Sequence, residues 1–543
     1  MFPLLPRIEG FTVPWQRKLL APDALLLQIA VRPASLRASV VRLDNRLRAE
    51  APEFEDFSVQ YPAIRAAMHI AAIFAIYLSF VMLVPAAVDL YYGNDDWQVF
   101  AFSAFFTGGA GLAVALATQG RQPPITSRFG FFIVNLLWLL TSLIGAIPLL
   151  ASSLDISLTD AIFESVAGVT TTGATVISGL DGLPPGLLLW RSLLQWIGGL
   201  GVIALGLFIL PLLNVGAISY FKIESSSTDD NPFARFSTYT ISLISVYAAL
   251  TLICAIAYTA AGMSGFNAVN HALTTISTAG FSTHDASMGF YADRPAVLWV
   301  GTIFMFIGAL PFSILILFAL RGRLDALRDP QIRVFAFYVL LLILCVTIYL
   351  RVSSDISLFE AFTMTAFNFT SIITTTGYAS SDYGQWGAFA FACAFVAMFL
   401  GGCSGSTTGG IKAYRFLILF ELMANGLRRL VYPNTVLSVR YGDRPVDEAM
   451  QRAVVLFISS FLVIWLITIV LLAATGLDFI TAMSGALTAL TNVGPGLGDT
   501  IGPAGNFSSL PDAAKWIITM AMLLGRLEIL AVLVIFTPVF WRR

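Results

Sequence analysis

The run Asp160-Ala-Ile-Phe-Glu-Ser-Val-Ala-Gly-Val-Thr-Thr-Thr-Gly173-Ala-Thr175 decides how the chain is read. It starts polar, continues as a helix-like stretch of small and apolar residues, and ends in hydroxyl side chains closed by a glycine. A bilayer core takes roughly 20 apolar residues per helix, so this run is too short and too polar to cross one. A short helix followed by extended backbone reads as a re-entrant pore loop. Such backbone survives at membrane depth only where it lines a cavity or is buried in protein. The theme recurs in Asn267-Ala-Val-Asn-His-Ala-Leu-Thr-Thr-Ile-Ser-Thr-Ala-Gly280. It recurs again in Glu360-Ala-Phe-Thr-Met-Thr-Ala-Phe-Asn-Phe-Thr-Ser-Ile-Ile-Thr-Thr-Thr-Gly377 and in Thr481-Ala-Met-Ser-Gly-Ala-Leu-Thr-Ala-Leu-Thr-Asn-Val-Gly494. Four copies in one chain make an internal repeat, which outranks local readings.

Outward from these loops lie ten segments apolar enough to span: about 65–90, 97–118, 129–152, 187–213, 236–261, 295–320, 332–352, 386–421, 450–475 and 513–540. The chain is 57% hydrophobic and 12% charged, against about 25% charged in soluble domains. A formal net charge of −1 excludes the basic face of a nucleic-acid binder. Four cysteines without a C-x-x-C pair and three scattered histidines give no zinc or disulfide pattern. Basic residues gather in alternate loops: Arg121, Arg128, Lys222, Arg235, Arg321, Arg323, Arg328, Arg333, Arg428, Arg429, Arg440, Arg444, Arg452, Arg542 and Arg543. By the positive-inside rule that side is cytoplasmic, both termini lie there, and all four loops dip in from outside. Residues 1–60 are an N-terminal cytoplasmic extension; a short amphipathic helix around Ala34–Leu47 and a weakly ordered arm both fit.

The loop pattern has a chemical reason. A cation that sheds water needs oxygens to replace it, and rings of backbone carbonyls supply them. Carbonyls turn to an axis only where some residues take unusual backbone angles, which glycine permits. Threonine hydroxyls add ligands at the inner mouth, and the C-terminal ends of the short helices favour a positive charge. The reading is an all-α membrane protein with four pseudo-repeats of helix–pore loop–helix around one ion path, plus two leading transmembrane helices. Its parts are 1–60 (extension), 61–120 (leading pair), 121–225, 226–325, 326–445 and 446–543 (the four repeats). The filter candidates are Thr171, Thr172 and Gly173; Thr278, Ala279 and Gly280; Thr375, Thr376 and Gly377; and Asn492, Val493 and Gly494. The bound cation is assigned to Thr171, Thr172, Thr278, Ala279, Thr375, Thr376, Asn492 and Val493.

Over roughly residues 60–540 the chain resembles the TrkH/TrkG/KtrB/HKT superfamily of potassium and sodium transporters, and within it the bacterial TrkH-type potassium uptake proteins. The resemblance rests on Trp190-Arg-Ser-Leu-Leu-Gln-Trp-Ile-Gly-Gly-Leu-Gly201 and Asn270-His-Ala-Leu-Thr-Thr275. It rests also on Gly401-Gly-Cys-Ser-Gly-Ser-Thr-Thr-Gly-Gly-Ile-Lys412 and Leu524-Gly-Arg-Leu-Glu528. It implies an intramembrane gate at Gly401, Gly402, Cys403, Ser404, Gly405, Ser406, Thr407, Thr408, Gly409 and Gly410, with Lys412 just beyond. It also implies that Arg526 points into the path beneath the filter. In plant members that favour sodium the first-loop glycine is serine; here it is Gly173, which favours potassium. Ala279 before Gly280 and Asn492-Val493 before Gly494 depart from the commoner pattern, which implies modest selectivity.

The resemblance further implies a homodimer with one pore per protomer, set in the lipid bilayer of the bacterial inner membrane. A cytosolic nucleotide-binding subunit of the TrkA type would gate it, docking on the basic loops 321–333 and 426–452. Potassium is the substrate and no covalent cofactor is expected. Weakly selective sodium/potassium uptake or cation symport is the alternative. A sodium-coupled solute symporter would need inverted repeats, whereas these run in one direction. No nucleophile–base pair, metal cluster or Walker A motif supports an enzyme. Glu164 reads either as a cation concentrator or as a brace, Arg191 and Gln195 as supports behind the filter, and His271 as a packing residue.

Overall fold

Each short loop helix starts at a polar cap that its sequence supplies. Ser157, Ser264, Ser357 and Asp478 accept a hydrogen bond from the backbone N–H three residues on, at Asp160, Asn267, Glu360 and Thr481. The cap satisfies an N–H that helix geometry leaves without a partner. The computed structural model describes residues 57–120, 127–206, 232–322, 328–435, 437–442 and 444–541. The expected helix around 34–47 and the basic positions Arg121, Lys222, Arg323, Arg542 and Arg543 lie outside the described residues. The chain divides into two units, Met1–Tyr61 and Pro62–Arg543, and the second holds the repeats.

Two apolar helices lead, α1 (Ile64–Tyr92) and α2 (Trp97–Ala117). The first repeat is α3 (Ser127–Ala151), the short α4 (Leu158–Val169) and α5 (Pro185–Ala204). The second is α6 (Pro232–Ala260), the short α7 (Gly265–Ile276), α8 (Pro295–Gly308) and α9 (Phe312–Arg321). The third is α10 (Pro330–Ser353), the short α11 (Leu358–Ile373), α12 (Ala388–Phe399) and α13 (Ala413–Val431). A hairpin, β1 (Arg440–Tyr441) with β2 (Arg444–Pro445), precedes the fourth repeat. That repeat is α14 (Glu448–Ala474), the short α15 (Phe479–Thr491), α16 (Asp512–Arg526) and α17 (Ile529–Leu533).

Packing closes the repeats into a ring. Every short helix lies between the two long helices of its own repeat. The second long helix of each repeat also packs on the short helix of the next: α5 on α7, α8 on α11, α12 on α15, and α16 back on α4. Apolar burial drives little association between helices in lipid, so close approach and hydrogen bonds carry the contacts. Ser165 Oγ donates to Ser142 O at 2.6 Å and Trp190 Nε1 to Gly145 O at 3.0 Å. Lys515 Nζ reaches Asp160 at 2.6 Å and joins the fourth repeat to the first. Outward faces stay apolar, with Phe102 and Phe105 exposed on α2.

The spans differ from the sequence reading in one respect. Among the described residues seven helices are long and apolar enough to cross, and two further candidate spans are bent pairs. Segment 295–320 turns by 99° between α8 and α9, and segment 513–540 turns by 107° between α16 and α17. The first break falls where Pro311 cannot donate to the helix; the second has Glu528 at φ 61°. Segment 386–421 is interrupted at 400–412. The second helices of repeats two, three and four therefore all break, and α5 widens into a π turn at Leu205–Gly206.

Candidate functional site

The four loops meet at one ring. After each short helix the backbone takes a left-handed residue, then an ordinary one, then a left-handed glycine. Thr171, Thr278, Thr375 and Asn492 have φ of 53°, 49°, 55° and 56°. Two residues later Gly173, Gly280, Gly377 and Gly494 have φ of 78°, 81°, 83° and 107°. Left-handed angles are rare for residues with a Cβ, so three threonines and an asparagine in register mark a backbone held by its surroundings. All twelve residues assigned to the filter from sequence fall in these four segments.

The glycines are fixed by space as well as by angle. A Cβ on Gly173 would stand 2.2 Å from the carbonyl oxygen of Ala279, and one on Gly280 1.9 Å from that of Thr376. On Gly377 it would stand 2.1 Å from Val493 O, and on Gly494 2.6 Å from Thr172 O. Each glycine thus abuts the carbonyl that precedes the glycine of the next loop, and the series closes on itself. Four carbonyls, from Thr172, Ala279, Thr376 and Val493, form one cycle around a common axis.

Behind the ring, α5 carries its supports on one face. Arg191 is 1% exposed; its Nε donates to Glu164 at 2.8 Å, Nη2 to Thr175 Oγ1 at 3.2 Å and Nη1 to Ser282 O at 3.2 Å. Its guanidinium also lies over the Phe281 ring. Glu164 accepts from Thr175 and from the backbone of Val176, so the carboxylate braces the segment after Gly173 rather than facing the axis. One turn on, Gln195 reaches the second loop. Gly198 lets α5 approach closely, since a Cβ there would meet Val169 O at 1.9 Å. His271 is satisfied in packing, bonded to Asn267 O and Ser282 Oγ.

Below the ring, residues 400–412 form a loop with a closed neck. Gly401 N donates to Ile411 O at 3.1 Å and Ala413 N to Gly402 O at 3.0 Å. Cys403 N donates to Ala309 O, and Phe312 N to Gly405 O, so the break in the second repeat receives the loop. Ser406 Oγ bonds Cys403 O and Thr408 Oγ1 inside the loop. The tip touches the inner mouth directly. Thr278 Oγ1 donates to Thr407 Oγ1 at 2.9 Å, and Gly409 N to Thr375 Oγ1 at 2.7 Å. A Cβ on Gly409 would meet Thr491 O at 2.2 Å, and Gly410 has φ 68°. On the other side of the mouth Thr171 Oγ1 and Asn492 Oδ1 are buried without a partner among the described residues.

Two cations hold adjacent carbonyls of this tip. Arg526 Nη2 donates to Thr407 O at 2.8 Å, and Lys412 Nζ donates to Thr408 O. Arg526 is 4% exposed, and its Nε and Nη1 have no partner among the described residues. The neighbouring carboxylate, Glu528, pairs with Arg415, which stacks on Phe457. A cavity beneath the loop is lined by Lys412, Arg415, Arg526 and Glu528 and by the loop residues Ser404–Ser406 and Thr408–Gly410.

A hydrogen-bonded chain also runs from this loop to the β1–β2 hairpin. Ser404 N donates to Gln331 Oε1 at 3.0 Å. Gln331 N donates to Asp329 Oδ1 at 2.9 Å, and Tyr441 OH donates to the same oxygen at 2.5 Å. Gln331 and Tyr441 gave no sign of this in sequence; the only local signal was Asp329 before Pro330, a helix start.

Fold and site together define a polytopic membrane transport protein whose four repeats close around one axis. The family model TrkH, described as a cation transport protein, matches residues 97–542. The chain is 42% identical to the Trk system potassium uptake protein TrkI of Halomonas elongata, over 88% of this chain and 96% of that one. It is 37% identical to the Trk system potassium uptake protein TrkH of the same organism, over 89% and 100%. The crystal structure of the potassium transporter TrkH from Vibrio parahaemolyticus matches with a TM-score of 0.81 at 36% identity, covering 88% of this chain and 100% of that one. The chain belongs to the TrkH family of cation transport proteins. Members of this family are transporters rather than enzymes, and no catalytic residue is assigned.

Proposed function

We propose that this chain takes up potassium across the bacterial inner membrane through the ring of carbonyls at Thr172, Ala279, Thr376 and Val493. The observation that carries the reading is the closure of the ring, in which each of four glycines abuts the next loop's carbonyl. Potassium is favoured because relatives alike over most of their length are named potassium uptake proteins, and because glycine stands at all four ring positions. Flow is channel-like. A negative interior contributes about 2.3 kcal/mol per charge per 100 mV, enough to accumulate the ion without ATP chemistry in this chain. Unequal neighbours at Ala279 and Val493 support a second reading, in which sodium also passes.

In this account the 401–410 loop is the gate, held shut by Arg526 and Lys412. The protein works as a homodimer, and a cytosolic nucleotide-binding subunit of the TrkA type opens it. The contact from Tyr441 through Asp329 and Gln331 to Ser404 supports control from the cytoplasmic face, where Arg440 and Arg444 are exposed. Both termini are cytoplasmic, and the parts 61–120, 121–225, 226–325, 326–445 and 446–543 are the leading pair and the four repeats. The test is growth of a potassium-uptake-deficient bacterium at low potassium. Rescue by the wild-type chain and its loss in Gly173→Ser support the reading; rescue by both proteins sinks it.

A further inference from the structure

The four ring carbonyls are not equivalent, and one side chain makes the difference. Gln195 Nε2 donates to Ala279 O at 2.7 Å, while Gln195 Oε1 accepts from Phe281 N at 3.0 Å. The amide therefore straddles Gly280 and fixes the peptide groups on both sides of it. Donor and acceptor are unambiguous, because a backbone N–H can only donate and a carbonyl can only accept. Gln195 is fully buried, on a helix of the preceding repeat. Among the described residues the other three ring carbonyls, of Thr172, Thr376 and Val493, accept no hydrogen bond. Loops one, three and four have braces of their own, but these reach groups after the glycine: Glu164 to Val176 N, Asn368 to Ser380 N, Ser484 to Leu497 N.

We propose that Gln195 is a selectivity-determining residue, which makes the second loop's carbonyl a tethered and weaker ligand than its three counterparts. The inference rests on the reading of the ring as the cation filter. Two physical effects act in the same direction. An amide N–H on Ala279 O shares its electron density, which lowers the field the carbonyl offers an ion. The same bond holds the oxygen in place, so that the ring resists the inward shift a smaller ion requires. Ring size and ligand field strength are the two accounts of alkali-cation selectivity. Under both, the tether penalises sodium more than potassium. Gln195 thereby offsets part of the selectivity lost through the ring's departure from four-fold symmetry.

The experiment uses the full chain in liposomes, with potassium and sodium fluxes measured in competition. Gln195→Met keeps the bulk and removes the amide. The expected result is a several-fold fall in the potassium-to-sodium ratio with potassium flux retained. Gln195→Glu is near-isosteric and can donate to Ala279 O only when protonated, so its ratio should rise as the pH is lowered and fall as it is raised. A purely structural role would not produce that pH profile. Unchanged ratios in Gln195→Met, or a pH-independent ratio in Gln195→Glu, overturn the proposal. Gly377→Ala separates the two levels. If it alters selectivity and the Gln195 variants do not, only the role of Gln195 fails; if it leaves selectivity intact as well, the filter reading fails.

Discussion

The guanidinium of Arg526 donates to the carbonyl oxygen of Thr407 across 2.8 Å, joining the end of α16 to the tip of the loop that lies under the ring. Thr407 in turn bonds Thr278, a residue of the ring's inner mouth. A fixed positive charge and the loop proposed as the gate are thus one assembly. Arg526→Gln removes the charge and weakens the hold on the loop. Basal potassium flux in liposomes without a partner should rise on the order of tenfold, since a unit charge at contact distance readily exceeds 1.4 kcal/mol at intermediate dielectric. Unchanged basal flux would contradict the gate assignment.

Gly409 tests the same assembly from the opposite side. A Cβ on Gly409 would stand 2.2 Å from Thr491 O, which leaves no room for a methyl group. Gly409→Ala should push the tip off the inner mouth and raise basal flux, with the fold intact by thermal melting. A folded variant with a closed basal state would show that the loop does not dock as a gate.

The pair Glu164 and Arg191 is 0% and 1% exposed in its side chains, so removing either partner leaves a buried charge uncompensated. Such losses run to about 3–5 kcal/mol. Arg191→Leu should lower the thermal midpoint sharply, and combining it with Glu164→Gln should recover part of the loss. The double variant would melt below both singles if the two side chains acted independently.

Much of this site was legible in the chain before folding. The loop glycines and the hydroxyl runs are local signals, because backbone angles depend on a few neighbours. The broken helices at 309–311 and 527–528 were not legible in 295–320 and 513–540, whose hydropathy alone reads as continuous. A Pro after Ala309-Leu310 was the one available cue. The cyclic order of glycine and carbonyl was not legible either, since it depends on which repeat packs beside which. The same holds for Gln195: its amide could serve any backbone within reach, and only packing of α5 on α7 selects Ala279. Glu164, open between two roles in sequence, is settled by its bonds to Arg191, Thr175 and Val176.

The contact from hairpin to the 401–410 loop carries a pH signature. Burial raises the carboxyl of Asp329 above its ordinary value, outweighing the hydrogen bonds from Tyr441 and Gln331 that act the other way. A carboxyl raised in the folded state contributes stability that is complete below its unfolded pKa and is lost as pH rises through the folded value. The thermal advantage of the wild type over Asp329→Asn should therefore shrink as pH rises from ~4 toward neutrality. Tyr441→Phe removes one donor to Asp329, at about 1 kcal/mol, and should weaken the response of flux to the proposed nucleotide-binding subunit. An advantage that grows with pH would contradict this description of Asp329.

Four glycines and four carbonyls are proposed to form the path through which the ion is chosen. The most direct measurement is potassium against sodium flux into liposomes, comparing the wild-type chain with Gly173→Ser. A serine there must displace Ala279 O, which stands 2.2 Å from the position of its Cβ. The account predicts that potassium is preferred in the wild type and that the preference collapses in the variant while the protein stays folded. An unaltered preference in folded Gly173→Ser would contradict it.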